Sequence, residues 1–135
     1  MTQNHSRRSF LGLLAGGVGL SLIPSAVFAG SIHPEPRGGI DASLVLPPEA
    51  VEKFGKKERE VFEMIREIPE IADGIGCYCG CYAREGYHSL LTCFYEGGRG
   101  SGCPVCQGEA RLAFRRHKEG QILDQIRRAT DARYG

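Results

Sequence analysis

The stretch Gly74-Ile75-Gly76-Cys77-Tyr78-Cys79-Gly80-Cys81 places three thiols at alternate positions, and few folds accommodate that. Three more follow at Cys93, Cys103 and Cys106, so the run reads C-x-C-x-C-x11-C-x9-C-x2-C. Three chemistries fit six cysteines in a short chain: a disulfide framework, a soft-metal site, and a dithiol redox centre. Neighbours at i and i+2 are badly placed to bond to one another, because disulfide geometry is narrow. If residues 77–81 are extended, their alternate side chains share a face and all three sulfurs converge. Convergent thiolates suit copper or zinc, and four or more of them also permit an iron–sulfur cluster.

Cys103-Pro104-Val105-Cys106 adds a second element. Pro104 suits the first position of a helix, which makes Cys103 the expected N-cap and Cys106 a first-turn residue. The positive end of the helix dipole favours thiolate there, for a metal or for redox work. A C-P-x-C pair at a helix start is also found in glutaredoxins, but the sheet that those proteins need has no counterpart in this pattern. His88, between the first cluster and Cys93, is a candidate nitrogen ligand. His117 lies eleven residues beyond Cys106, about 16 Å along a helix, and cannot share its ion. The candidate metal set is therefore Cys77, Cys79, Cys81, Cys93, Cys103, Cys106 and His88. Tyr78 and Tyr82 are expected to shield the loop.

The compartment tips the balance between a metal site and disulfides, with the disulfide and redox readings kept as alternatives. Ser6-Arg7-Arg8-Ser9-Phe10-Leu11 opens a glycine-rich, uncharged run that ends in Val27-Phe28-Ala29. This reads as a twin-arginine signal, residues 1–29, cleaved before Gly30. An uncleaved membrane anchor is the other reading, which Gly12, Gly16, Gly17, Gly19 and Pro24 weaken by lowering helix propensity. No cysteine stands near the cleavage site, so no lipid anchor is expected. The expected location is the periplasm, reached through the twin-arginine machinery. That route carries folded proteins out of a reducing cytoplasm. A disulfide-dependent fold gains nothing from it, whereas a chain that loads metal before export does.

Removing residues 1–29 leaves 106 residues, with 15 basic and 16 acidic side chains. That balance argues against a nucleic-acid binder. A domain so small, with no tryptophan, buries little core and benefits from a metal or cross-links. Residues 30–48 are rich in proline and glycine and show no period, as a flexible tether would. From Glu49 the composition turns helical, and residues 49–135 form the cysteine-rich domain. Val61, Phe62, Ile65 and Ile68 mark an amphipathic helix from about Lys57 that breaks before Pro69. Pro69 opens a short turn, and Ser89 caps another through Leu90, Leu91 and Phe94. After a flexible loop at 97–102, a helix runs from Pro104 to about Lys118. A last helix presents Ile122, Leu123, Ile126, Ala129 and Thr130. No alternating strand pattern appears, so the expected fold is all-α, a small helical array with thiol-bearing loops.

Cys77-Tyr78-Cys79-Gly80-Cys81 behind an Ile-Pro-Glu helix, then Gly86-Tyr87-His88-Ser89-Leu90-Leu91-Thr92-Cys93-Phe94, a C-x2-C pair and the segment from Glu119 to Gly135 resemble the exported bacterial proteins named for their PCYCGC motif. The resemblance runs from about Val61 to Gly135. Gly76 stands where that family has proline, and many of its members are lipoproteins. The resemblance implies a cysteine-centred fold and export, and names no reaction. No Ser-His-Asp set, phosphate loop or carboxylate pair stands out, so no catalytic residue is assigned. The expected role is metal storage, delivery or metalloenzyme assembly, with an extracytoplasmic protein as the further partner.

Replacing Arg7 and Arg8 together with lysine is expected to strand the precursor in the cytoplasm, as read by cell fractionation. Unchanged periplasmic yield would contradict the twin-arginine reading.

Overall fold

The structure, a computed structural model, describes residues 31–135; the signal segment read at 1–29 lies outside the described residues. The fold is all-α. Five helices follow in order: α1 (Pro48–Val51), α2 (Lys56–Glu67), α3 (Pro69–Asp73), α4 (Pro104–Lys118) and α5 (Leu123–Tyr134). Two 3₁₀ turns, Cys81–Ala83 and Leu90–Phe94, lie between α3 and α4. Among the described residues the only β-type pairing is an isolated bridge between Val45 and Tyr95. No described helix is long and apolar enough to cross a membrane.

The helices form where the periodicity places them. Val61, Phe62 and Ile65 are the buried stripe of α2. Ile68, at φ −127° and ψ 44°, has left helical geometry because Pro69 follows it. Proline then occupies the first turn of both α3 and α4, where its missing N–H is no loss. Phe62 meets Phe94 edge to face, ring centres 5.0 Å apart, and Phe54 stacks on Phe62 at 6.0 Å. α4 packs against both α2 and α5. Ile126 and Thr130 are the buried residues of α5. Ile122, expected in that stripe, is 65% exposed instead, since it is the extended N-cap residue before the first helical turn.

Residues 31–47, expected as a tether, are packed against the domain. The leading contact is made by Asp73, a fully buried carboxylate at the end of α3. The Arg37 guanidinium donates to it from Nη2 at 2.8 Å and from Nε at 3.2 Å, and the Arg37 backbone N–H donates at 2.8 Å. The Ser89 hydroxyl adds a fourth bond at 2.7 Å. Further along, Leu46 N–H donates to the Phe94 carbonyl at 3.0 Å, and Val45 is buried in the core. On the other side Arg127 of α5 donates to the Pro34 carbonyl at 2.7 Å and to the Gly74 carbonyl at 2.8 Å. Segment 31–47 is thus a strap held by side chains far away in the chain, which local composition does not reveal. The loop at 97–102 is pinned as well: Gly100 N–H donates to the Cys93 carbonyl at 2.7 Å.

Burial pushes the Asp73 carboxyl up, but the bonds from Arg37 and Ser89 outweigh it and hold the pKa below the ordinary carboxylate value. A depressed folded-state pKa contributes stability that is present above the unfolded value and lost as pH falls through the folded one. Denaturant unfolding followed from neutral pH down through the carboxylate range should therefore show stability falling on acidification. Asp73→Asn should be less stable at neutral pH and show a shallower acid dependence. An identical slope in the variant would contradict the role given to Asp73.

Candidate metal centre

Three segments bring thiols to one place. The first is the loop after α3. Gly76 N–H donates to Nδ1 of His33 at 3.0 Å, so the strap lies directly against this loop. A Cβ at Gly76 would collide with the Ile32 carbonyl, and a proline there would remove the donated N–H. His33 is fixed in turn by its Nε2–Asp131 Oδ1 contact at 2.7 Å, and the Tyr78 hydroxyl donates to the same carboxylate at 2.6 Å. Cys77 N–H donates to the Tyr87 hydroxyl at 2.6 Å, and Tyr78 N–H donates to Oε1 of Glu109 at 2.9 Å. The loop's backbone donors are therefore satisfied by side chains from the strap, from Tyr87 and from α4.

The second segment is the 3₁₀ turn Leu90–Phe94, which carries Cys93; Ser89 N–H donates to the Thr92 hydroxyl at 3.1 Å where it starts. The third is the first turn of α4. Cys103 is its N-cap, its sulfur accepting from Cys106 N–H at 3.4 Å, and Cys106 points inward from the third helical position.

The sulfurs of Cys77, Cys79, Cys93 and Cys106 all lie within 4.8 Å of one another. Cys77 and Cys106 are the pair in direct hydrogen-bond contact, Sγ to Sγ 3.4 Å. Cys77, Cys93 and Cys106 are buried, and Cys79 is half-buried. All six cysteines are free thiols. A tetrahedral ion with bonds of about 2.3 Å sets its four sulfurs about 3.8 Å apart. The group is close to this size, and a contraction of at most about 1 Å closes it on one ion. An iron–sulfur cluster, which interposes several irons and sulfides between its cysteines, needs a wider cage.

The other three candidate ligands stand outside the four. Gly80, at φ +80°, adopts the left-handed conformation that glycine alone adopts freely, and it turns the chain into the 3₁₀ turn Cys81–Ala83. The extended alternation expected over 77–81 is not found: Tyr78 and Cys79 form a turn, Gly80 bends the chain again, and Cys81 falls outside the four-sulfur group. Cys103 is occupied as a cap. His88 lies outside the group, its Nε2 3.7 Å from Asp73 and its backbone N–H donating to the Thr92 hydroxyl at 3.2 Å. Tyr82 is 68% exposed and shields nothing; Tyr78 and Tyr87 do that work.

The thiols cannot ionise together. Hydrogen bonds from Cys77 and then Cys93 hold Cys106 down to about 2, and the N-terminus of α4 adds its dipole. The same bonds to Cys106 lead the upward shift of Cys77 and of Cys93, with burial reinforcing both. Burial first, then Cys81, pushes Cys79 up to about 12. The arrangement thus favours thiolate at Cys106 over its neighbours, and a cation among the sulfurs would favour ionisation of the rest.

Glu109 was not anticipated from the sequence. It is fully buried beside Cys77, and burial raises its pKa to about 7. Its Oε2 has no hydrogen-bond partner in the described structure. The signal was present: Glu109 follows Cys106 by three residues, so one helix face carries both. Compared with known proteins, the chain matches no family model, no curated protein and no solved structure, so the PCYCGC resemblance rests on the motif residues themselves.

Proposed function

We propose that this chain is an exported protein that binds one soft metal ion, copper(I) or zinc, through Cys77, Cys79, Cys93 and Cys106. The observation that carries the reading is the meeting of four sulfurs from three separate chain segments within 4.8 Å. An all-thiolate set selects soft or borderline ions over magnesium and calcium, which require oxygen ligands. Three ligands are shut away from water, which suits an ion that is held. The half-buried fourth, Cys79, suits an ion that is also handed on. Storage, delivery or assembly of an extracytoplasmic metalloenzyme is the role that follows, with twin-arginine export of the loaded, folded chain.

The alternatives draw less support. A disulfide framework would have to break up a four-sulfur group that has no bonded pair in it. A redox dithiol at Cys103 and Cys106 would leave unexplained the meeting of Cys106 with Cys77, Cys79 and Cys93.

Elemental analysis and native mass spectrometry of natively purified protein test the reading. The expected result is about one ion per chain, lost in Cys93→Ser, with buried thiols that react only after chelation. Because each ligand must lose its proton, affinity should fall as pH drops, and loading should raise the melting temperature. A metal-free protein six hydrogens lighter than the reduced chain would overturn the proposal in favour of three disulfides.

A further inference from the structure

Cys81 and Cys103 are the thiols that the four-sulfur group leaves out, and both stand at its edge. Cys81 is 3% exposed and stands two residues beyond Cys79, the half-buried member of the four. Cys103 is half-buried and bonded to Cys106 through its cap. Between them stands Arg99, an exposed side chain that shares one surface cavity with Cys81 and another with Cys103. Arg99 also lines two surface cavities. One, of about 180 Å³, is lined by Cys81 and by Cys93, itself a member of the four. The other, of about 430 Å³, is lined by Cys103 and Pro104. Each cavity therefore reaches the edge of the centre through a thiol: Cys81 beside Cys79, the one centre ligand that is not fully buried, and Cys103 beside Cys106.

We infer that Cys81 and Cys103, set around Arg99, form an exchange port through which a soft ion enters and leaves the centre as a succession of thiolate complexes. The inference rests on the metal reading above. An ion enclosed by three buried sulfurs has no single-step exit, because breaking all its bonds at once would leave a bare cation in a dry site. A neighbouring thiol supplies a stepwise one. On entry the Cys81 sulfur bonds to an ion carried by an external thiolate, and one ion–carrier bond breaks. The Cys81 proton passes to the released carrier thiolate. The same exchange at Cys79 moves the ion inward, its thiol proton returning to the sulfur that the ion leaves. No electron changes hands. Arg99 favours approach of the anionic complexes in which such ions travel.

Stopped-flow mixing of the zinc-loaded full-length protein with excess chromogenic chelator tests the port, alongside equilibrium competition for affinity. Cys103→Ser should fold, since serine is a favoured N-cap. Cys81→Ser is checked by circular dichroism, and Arg99→Ala, at an exposed position, serves as a third variant. The expected result is release slowed by about tenfold or more in the Cys81→Ser, Cys103→Ser double variant, with affinity and stoichiometry close to wild type. Arg99→Ala should slow loading from a thiolate-complexed ion without affecting the amount bound. Unchanged release from a properly folded double variant would overturn the port and leave the centre standing. A loss of affinity as large as that of Cys93→Ser would also overturn it, because the two cysteines would then be ligands of the centre. A wild-type chain that takes up no zinc or copper would overturn the metal reading itself, and the port with it.

Discussion

Four sulfurs that cannot all be charged at once sit in one small volume, and the rest of the structure is arranged to keep them there. Crowded thiols set one another's charge: hydrogen bonds from its neighbours favour thiolate at Cys106, and the same bonds hold Cys77 and Cys93 protonated. In water the group would disperse. Here three chain segments, each anchored elsewhere, hold the sulfurs within 4.8 Å. A divalent or soft monovalent cation removes the conflict by neutralising the thiolates it binds. Without one, the cluster is a local electrostatic frustration that a core of this size must absorb.

The anchoring is polar as much as apolar. α2, α4 and the Leu90–Phe94 turn supply the aromatic and aliphatic core around Phe62 and Phe94. The loop bearing Cys77 and Cys79 is set by side chains from distant positions: His33 on Gly76 N–H, Tyr87 on Cys77 N–H, Glu109 on Tyr78 N–H. Asp73 ties the strap and the Ser89 cap of the Cys93 turn to the end of α3 through four bonds. The strap thus contributes to the geometry of the centre although it carries no cysteine.

How much of this the sequence disclosed follows the range of each interaction. The helices were legible because their signals are local: the Val61–Phe62–Ile65 stripe, the prolines at 69 and 104, and Gly120 after Lys118. The Cys103 cap and the first-turn place of Cys106 followed from Pro104 alone. The strap was not legible, because its determinants pair residues tens of positions apart; Arg37 and Asp73 carry no mark of one another. The ligand set was half legible. Cys77, Cys79, Cys93 and Cys106 belonged to the candidates, but nothing in a C-x-C-x-C run tells that Gly80 turns left-handed and sets Cys81 aside. His88 looked like a ligand by proximity in sequence, but its ring lies beside the buried Asp73, a partner that the sequence does not mark.

The central claim is that one ion is held by four cysteine sulfurs and nothing else. X-ray absorption at the metal edge of the natively loaded protein tests it most directly. The account predicts a single shell of sulfur, about four atoms at about 2.3 Å for zinc, with no metal neighbour. A shell dominated by nitrogen or oxygen, or iron–iron scattering from a cluster, would contradict it.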